Sequence, residues 1–566
     1  MAQTIQVESI LRHPFSQDQR RFGAGVSLRR AGNGIDYLAI SSVDMASAGG
    51  PADVRWYTLQ NGIWEPVWHP LPDPIPYYRN FLSTPANLNS VGFGASVAML
   101  PPYLVVGAPG SPNVDGDGVT QNRGTVFFFP MHYIMFINRP PAGNPASWAA
   151  TDYRLTPRTP SGVRLPAMAS SGGLGEVIAT DGQRRVASSL QRHVIGPGRV
   201  GSVLVFGPLV TLEANNPIAN ASWMINAPLA AETTSPGVYN NDEFGASLAF
   251  SGNWLAVGAP GDAFNARGVN GSPADNTRIP ESGAVYIYRL DSGMETTLIA
   301  KIKADLPDAG DRFGASIAMD AAGETLVVGA PNEDSNGGGI NSTARGNDGG
   351  GTGTSLNRGA VYVFRRTGTT WVQTDFLKPF DLNFNGLPSN QRADQRFGRA
   401  LAFDGTHLAV TGGNSPASAS VFVFERSPDG AWKTRQRLTP PSTNWVNSGS
   451  GTFGRTISIA NGRIAVADPG EGPLNSNRGA VAIYAGLAPS APPPPPPTSP
   501  IVDVSTGKAA VVSYGVPGVT YAFQSSSNLL DWTTLHTIQA QPGDGKMPGS
   551  DASPMSSSQF YRFVQP

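Results

Sequence analysis

A Phe-Gly pair, followed by a short apolar stretch that ends in Gly-Ala-Pro, recurs along the chain and constrains its fold more than any other feature. Three copies are nearly complete: FGASVAMLPPYLVVGAPG from Phe93, FGASLAFSGNWLAVGAPG from Phe244 and FGASIAMDAAGETLVVGAPN from Phe313. Each is followed by a stretch in which aliphatic and aromatic residues alternate, such as GAVYIY and GAVYVF. Such a repeat predicts one supersecondary unit that buries its apolar surface against neighbouring copies.

Weaker copies bring the number of repeats to seven. They begin at Phe22, Phe93, Leu174, Phe244, Phe313, Phe397 and Phe453. The mean spacing, about 72 residues, exceeds the ~40–50 residues of a compact propeller blade and suits a four-stranded blade with long loops. Because β-propellers have between about four and eight blades, we predict an all-β fold. Its main part is a seven-bladed β-propeller of four-stranded blades over residues 1–486.

The strands can be assigned within the copy that begins at Phe244. Strand A is FGASLAF, strand B is WLAVGA, strand C is AVYIYR and strand D is LIAKIKA. Strand B is apolar on both faces and is stopped by Pro260, which cannot donate a hydrogen bond to a β-ladder. The Phe at the start of each copy is predicted to pack between adjacent blades.

The last copy lacks a strand D of its own. It ends at GAVAIY, residues 479–484, and runs into a proline tract. Ahead of the first copy stands TIQVESILR, residues 4–12, at the position that LIAKIKA occupies ahead of Phe313. We therefore predict that Ile5–Leu11 pairs with GAVAIY, which completes blade seven and removes an open sheet edge.

The motif resembles the FG-GAP repeats of integrin α-subunit propellers and their bacterial relatives, over roughly residues 4–486. The Val-Gly-Ala-Pro element is complete at residues 106–109, 257–260 and 328–331, and partial at 411–413 and 467–469. The resemblance implies a calcium loop between strands A and B, but here that connection is short. A lone Asp320 or Asp404 cannot supply the 6–8 oxygens that Ca²⁺ takes. The sequence resembles the calcium-free variant of exported bacterial proteins, and we expect no required cofactor, with Ca²⁺ left possible.

A proline-rich linker and a small C-terminal domain follow the repeats. Residues 487–500 read LAPSAPPPPPPTSP, and such a polyproline spacer of ~3.1 Å per residue would span roughly 40 Å. Residues 501–566 offer the strand candidates VVSYG, YAFQSSS, WTTLHTI and FYRFV. We predict a small immunoglobulin- or fibronectin-like β-sandwich there.

Charge and composition limit the classes of partner that the protein can bind. A net charge of −1 gives no basic field for nucleic acid, and the sequence has no cysteine for disulfides or thiolate chemistry. No stretch approaches the ~18 apolar residues of a membrane span, so direct membrane insertion is not expected. The N-terminal residues do not read as a signal peptide. They fit either a cytoplasmic protein or the mature form of an extracellular or cell-surface protein, and we expect the latter.

The candidate ligand-binding positions lie in the long loops between strands B and C, on the face that the resemblance implies for ligands. They are Asp115, Asp117, Asp262, Asp275, Glu281, Glu333 and Asp334. Asp115-Gly-Asp117-Gly offers two carboxylates to Ca²⁺, and a plain Gly-Asp turn is the alternative. The sequence contains no Gly-x-Ser-x-Gly elbow, no phosphate-binding P-loop and no histidine pair at i, i+4. No catalytic residue is predicted.

Three functions remain open from the sequence. The leading prediction is a non-enzymatic, extracellular or cell-surface binding or adhesion protein that presents its loop face to a protein or glycan. The first alternative is a polysaccharide-acting propeller enzyme, a lyase or hydrolase, which paired acids at the channel mouth would favour. The second is a structural subunit of a surface layer or fibre, which self-association would favour.

Overall fold

The structure is a computed structural model of the 566-residue chain. It describes residues 4–13, 21–30, 34–42, 53–66, 92, 94–100, 103–109, 112–114, 120–122, 124–130, 173–182, 185–190, 194–195, 198–199, 201–206, 209–210, 218–219, 222–226, 242–272, 278–290, 296–335, 337–343, 357–380, 395–413, 419–441, 445, 452–472, 478–488, 501–503, 510–514, 520–526, 533–539, 546–550 and 560–564.

The described residues form antiparallel β-sheets, and the chain divides into two compact units. Met1–Arg29 and Asp36–Ser490 make up the first, and Arg30–Ile35 and Ala491–Pro566 the second. The predicted linker limits stay a prediction, since most of residues 487–500 lie outside the described part. No helix among the described residues has the length and hydropathy of a membrane span.

The first three blades follow the N-terminal strand β1 (Gln6–Arg12). Blade 1 contains β2 (Val26–Arg30), β3 (Asp36–Ser42), β4 (Asp53–Gln60) and β5 (Ile63–Pro66); blade 2 contains β6 (Val97–Leu100), β7 (Tyr103–Ala108) and β10 (Thr125–Pro130); blade 3 contains β11 (Ile178–Thr180), β12 (Val186–Leu190), β15 (Ser202–Phe206) and β18 (Ser222–Asn226). The predicted outer strand of blade 2 falls on residues outside the described part.

Short two-stranded ribbons accompany blades 2 and 3. They are β8 (Pro112–Val114) with β9 (Thr120–Asn122), β13 (Val194–Ile195) with β14 (Gly198–Arg199), and β16 (Leu209–Val210) with β17 (Ile218–Ala219).

The remaining blades keep the four-strand order. Blade 4 contains β19 (Ser247–Ser251), β20 (Trp254–Ala259), β21 (Ala284–Leu290) and β22 (Thr296–Ile302); blade 5 contains β23 (Ser316–Met319), β24 (Thr325–Ala330), β25 (Ala360–Thr367) and β26 (Thr370–Leu377); blade 6 contains β27 (Leu401–Phe403), β28 (His407–Gly412), β29 (Ser420–Arg426) and β30 (Trp432–Leu438); blade 7 contains β31 (Thr456–Ala460), β32 (Arg463–Asp468) and β33 (Ala480–Ala485), with β1 as its fourth strand.

The N-terminal strand closes the ring, as predicted. β1 pairs antiparallel with β33, from Gln6 opposite Ala485 to Arg12 opposite Ala480. The first strands of neighbouring blades contact one another, so they line the axis of a seven-bladed propeller. The predicted all-β, seven-bladed fold is confirmed.

The first Phe of each repeat where the structure describes it packs between blades, which is also confirmed. Phe313 is buried in one cluster with Val285 and Ile302 of blade 4 and with Tyr362 of its own blade. Its ring meets that of Tyr362 edge to face at 5.2 Å, a favourable geometry for aromatic pairs. Phe244 repeats the arrangement with Tyr286.

The other motif residues form a close contact between neighbouring blades, here called the clasp: the serine of one blade and the glycine before its Ala-Pro meet the Phe-Gly carbonyl of the next. The Ser247 hydroxyl of blade 4 donates to the Gly314 carbonyl of blade 5 at 2.7 Å. A Cβ on Gly258 would lie 2.2 Å from that same carbonyl oxygen, so no side chain fits there. Gly314 itself has φ +87°, where glycine is favoured. The Phe-Gly and Gly-Ala-Pro elements are therefore the two halves of one contact between neighbouring blades.

The C-terminal residues form two three-stranded antiparallel sheets. One contains β34 (Ile501–Asp503), β35 (Ala510–Tyr514) and β38 (Lys546–Ser550), and the other contains β36 (Thr520–Ser526), β37 (Thr533–Gln539) and β39 (Phe560–Val564). The four predicted strand segments lie on β35, β36, β37 and β39. An immunoglobulin- or fibronectin-like sandwich stays a prediction.

Candidate functional site

The described parts of the long loops between strands B and C of blades 4 and 5 are anchored in the same way. Residues 261–272 align with residues 332–343 without a gap. Each loop returns to the outer edge of its own blade, where Val269 bridges to Ile302 of β22 and Ile340 bridges to Leu377 of β26. Both loops are therefore anchored to the last strand of the blade, whose edge they partly cover.

Asp262, a predicted ligand-binding residue, is buried at the start of the blade 4 loop. Its carboxylate accepts hydrogen bonds from Lys303 Nζ at 2.7 Å and from the Tyr286 hydroxyl at 2.8 Å. Lys301 Nζ lies 2.9 Å from the second carboxylate oxygen. The backbone N–H of Phe264 donates to Oδ1. The Tyr286, Lys301 and Lys303 contacts tie the loop to β21 and to the end of β22.

The charge state of Asp262 follows from these partners. Burial opposes ionisation, but the charges of Lys303 and Lys301 and their hydrogen bonds outweigh it and lower the pKa of Asp262 well below its usual range. The aspartate is therefore a permanent anion in an ion-pair network that contributes to the fold.

Glu333 occupies the same position in blade 5. Its Oε2 accepts a hydrogen bond of 2.5 Å from Lys378 Nζ, which follows β26 as Lys303 follows β22. Burial lowers the pKa of Lys378, while the charge of Glu333 opposes that shift. Blade 7 repeats the device with Glu471 and Arg12 at 2.7 Å. Three blades thus pair an acid after the Gly-Ala-Pro position with a cation at or just after the end of the outer strand.

Blade 6 lacks both partners of this pair. In the aligned sequence Ser415 stands at the position of the acid and Thr439 at that of the cation. The two residues are absent together, as expected if each is tolerated in the interior only with its counterpart.

Glu281 and Asp334 lie near a junction between blades 4 and 5. Arg312, which precedes Phe313, pairs with Glu281 at 3.0 Å and also with Glu243. Asp334 is half-buried and lies near Asp311. Glu281 is 57% exposed at its side chain, which leaves it accessible to a ligand.

Asp311 is an acid that the sequence did not single out. It is 3% exposed. Burial is the main cause that raises its pKa to about 8; the nearby charges of Glu333, Asp308 and Asp334 act in the same direction, and a backbone N–H bond from Asp308 opposes the shift. Asp311 is therefore protonated in the folded protein at neutral pH.

The other predicted site residues cannot be placed. Asp115, Asp117 and Asp275 lie outside the described residues, so the possible calcium site at Asp115 and Asp117 stays a prediction. Within the described part of the chain, no group of three or more His, Asp or Glu residues could hold a metal ion.

A cleft of about 530 Å³ lies where the two loops approach strand β26. Blade 4 contributes two loop residues and one residue after β22, and blade 5 contributes the rest. The lining residues are Gly268, Val269, Asp305, Asn341, Phe364, Trp371, Val372, Gln373, Thr374, Asp375 and Phe376. Only Asp305 and Asp375 among them are charged, so the cleft is acidic.

The loop wall of the cleft is held in place by Asn341. Its backbone N–H donates to the Phe376 carbonyl at 2.7 Å, and its side-chain oxygen accepts from the Phe376 N–H at 2.8 Å. Its amide nitrogen donates to Asp375 at 2.9 Å. Asn341 has φ +54°, a left-handed conformation that asparagine tolerates better than most residues. Asn270 repeats the same backbone conformation in blade 4.

Two polar atoms in the β26 wall have no hydrogen-bond partner. They are Trp371 Nε1 and Gln373 Oε1, and both are buried. Most buried polar groups in proteins are paired, so these two atoms are exceptions within the wall of the cleft.

Sequence reasoning missed this cleft. Its walls come from two different copies, and no local motif marks their approach. A signal was available in the gapless alignment of the two loops, which puts Asn270 on Asn341 and Val269 on Ile340. Such agreement in a glycine-rich segment indicates a fixed conformation and not a loop of arbitrary structure.

The family comparison agrees with the fold. The FG-GAP repeat family matches residues 231–288 and 296–344, which span blade 4 and the first half of blade 5. Among solved structures, the periplasmic gluconolactonase PpgL of Pseudomonas aeruginosa is similar, with 14% identity and a TM-score of 0.34 over 79% of this chain and 95% of that chain. No curated protein sequence matches. With its matched repeats and its ring of seven blades, the chain is an FG-GAP β-propeller protein.

Proposed function

We propose that this protein is a non-enzymatic binding protein, extracellular or at the cell surface, whose cleft between blades 4 and 5 takes up a protein or glycan partner. The observation that carries the proposal is the convergence of two anchored loops and strand β26 on a cleft of about 530 Å³. Ligand sites in proteins are concave and typically measure ~300–1,000 Å³. The cleft is of that size.

The state of the loop acids supports binding over catalysis. A general acid or base works best with a pKa near the operating pH. The pKa of Asp262 is lowered far from that range by two lysines, and Glu333 is held by Lys378. These carboxylates stabilise the loops and leave the cleft preformed, which lowers the entropic cost of binding.

A binding screen of the full-length protein tests the proposal. Glycan and peptide arrays are probed with Ca²⁺ and with EDTA, and the same mixtures are assayed for depolymerised product. We expect binding without turnover, weakened in the Asp305→Asn/Asp375→Asn double variant. The matched control is Glu65→Gln, an exposed acid on β5 of blade 1. New reducing or unsaturated ends would contradict a non-enzymatic role. If the double variant binds as tightly as the original protein, the binding site is not in this cleft.

A further inference from the structure

The cleft follows the edge of strand β26. Its lining includes six consecutive residues, Trp371 to Phe376. Because successive side chains of a β-strand point to opposite faces of the sheet, a cleft over one face would contact only alternate residues. Contact with all six places the cleft along the edge, where the backbone is reachable.

Strand β26 is the last strand of blade 5. Its outward edge is paired at one end, where Ile340 bridges to Leu377 and the Asn341 N–H donates to the Phe376 carbonyl. Among the residues that the structure describes, no strand pairs with the outward edge of Trp371–Asp375. An unpaired edge presents backbone N–H and C=O groups that can pair with an added strand.

The side chains around this edge favour a ligand with positive charge. Asp305 on the blade 4 side and Asp375 on β26 are both acidic, and no lysine or arginine lines the cleft. Val372 adds an aliphatic contact on the same strand, with 57% of its surface exposed. A ligand that matches the cleft therefore carries basic side chains and an apolar one along an extended backbone.

The aromatic residues of the cleft argue against a sugar as the occupant. Sugars stack on exposed aromatic faces, but Trp371 and Phe376 are each only 2% exposed. The Trp371 ring packs edge to face on Trp254 at 6.3 Å. These rings form the apolar floor of the cleft and offer no platform for stacking.

We propose that the cleft binds an extended basic peptide segment of a partner protein, which adds to β26 as a further strand of blade 5. This inference rests on the proposed binding function and names its partner class. Recognition by strand addition draws affinity from main-chain hydrogen bonds and specificity from alternate side chains. The Asn341 segment supplies the first paired residues of the new strand, and Asp305 and Asp375 receive the basic side chains.

Three labelled hexapeptides test the proposal on the full-length protein by fluorescence anisotropy. They are acetyl-KVKVKV-amide, acetyl-EVEVEV-amide and a KVKVKV peptide with alternate backbone amides N-methylated. We expect the basic peptide to bind at least about tenfold more tightly than the acidic one, because like charges repel at the cleft. N-methylation should abolish binding, since it removes the donors that pair with the strand edge.

Protein variants locate the site. The Asp305→Asn/Asp375→Asn double variant should weaken binding of KVKVKV about tenfold and reduce its salt dependence, while Glu65→Gln should leave both unchanged. Equal affinity for the basic and acidic peptides, undiminished binding after N-methylation, or no binding of any hexapeptide would overturn the inference.

Failure of this inference is distinguishable from failure of the binding function. If a glycan binds the full-length protein and the double variant no longer binds it, the peptide is the wrong partner class but the cleft is still a binding site. Self-association in sedimentation that the double variant abolishes would show that a second copy of this chain is the occupant, which would also overturn the inference. If no glycan and no peptide on the arrays binds the full-length protein, the proposed binding function itself is wrong.

Discussion

Blades 5 and 6 are neighbours with the same strand order, but they differ at the positions that define the repeat. Blade 5 has Ser316, Gly329, Glu333 and Lys378 where blade 6 has Ala400, Thr411, Ser415 and Thr439. The backbone contact nonetheless persists in both. Gly314 N donates to the Gly329 carbonyl at 3.0 Å, and Gly398 N donates to the Thr411 carbonyl at the same distance. What recurs from blade to blade is therefore a backbone geometry, and the side chains of the motif are one way to stabilise it.

Blade 6 stabilises the same geometry within its own sheet. The Thr411 hydroxyl accepts from the Ala400 N–H at 2.9 Å, whereas in blade 5 the Ser316 hydroxyl donates across the blade junction to Gly398 at 2.6 Å. Blade 5 uses the Ser316 hydroxyl across the blade junction and the buried Glu333–Lys378 ion pair; blade 6 lacks the counterparts of both. Substitutions at the motif positions should therefore cost more in blade 5.

The largest expected effect is that of Gly329→Ala. A Cβ there would lie 2.2 Å from the Gly398 carbonyl oxygen, so blades 5 and 6 would have to separate. We expect a loss of about 4 kcal/mol or more in the free energy of unfolding, or failure to fold. Gly412→Ala, one residue after the aligned Thr411, is the control in blade 6, where the nearest atom would be a Phe422 ring carbon at 3.1 Å. Equal losses of melting temperature in the two variants would contradict the importance of the close approach between blades 5 and 6.

The next largest effect is that of Lys378→Met. It leaves the Glu333 carboxylate without its buried partner, and breaking such a pair costs about 3–5 kcal/mol. Adding Glu333→Gln to the same chain should recover most of that loss, since the uncompensated charge is then removed. Urea denaturation of the single and double variants measures both. A double variant as unstable as the single one would show that packing, and not charge, is what the lysine provides.

A smaller, pH-dependent effect is expected at Asp311, whose counterpart in blade 6 is the non-titrating Gln395. The folded pKa of Asp311, about 8, is raised above the ordinary aspartate value of 3.8. The unfolded chain therefore releases this proton first, and stability falls as pH rises between about 4 and 8. Asp311→Asn should match the original protein near pH 4 and exceed it by at least about 1 kcal/mol at pH 8. Thermal unfolding across that pH range tests the sign; a gain near pH 4 alone would contradict it.

The smallest expected effect is that of Ser316→Ala. It removes the hydroxyl that donates to Gly398, and a typical hydrogen bond contributes about 1 kcal/mol. Blade 6 keeps the bond from Gly398 N to the Thr411 carbonyl without such a hydroxyl, since Ala400 occupies its position. The melting temperature should fall by a few degrees at most. A loss as large as that of Gly329→Ala would mean that the hydroxyl, and not the backbone approach, holds the junction.

The ring could be predicted from the sequence because its rules are local. The spacing of the seven anchors, the alternation in each strand and the missing last strand together gave the blade number and the pairing of Ile5–Leu11 with residues 479–484, which the structure confirms. The Phe of the described copies could be placed between blades for the same reason. A large apolar residue at a fixed point of every copy has to be buried by its neighbours.

The site could be predicted only in part, because its partners are distant in sequence. Asp262 was identified as a candidate, but its partner Lys303 lies at the far end of the outer strand. The pair emerges only when copies are aligned and both residues are seen to be absent together from blade 6. The cleft depends on how one blade's loop approaches the next blade's strand, and hydrophobic periodicity carries no information about that contact.

Hydrogen exchange of the full-length protein, with and without acetyl-KVKVKV-amide, tests most directly whether the cleft is the binding site. Added-strand pairing should protect the amides of Trp371–Asp375 in β26. The corresponding amides of β30 in blade 6, residues 432–436, should exchange at the same rate with and without the peptide. Protection of β26 alone would support binding at the cleft. Unchanged exchange at β26, or equal protection of β26 and β30, would contradict it.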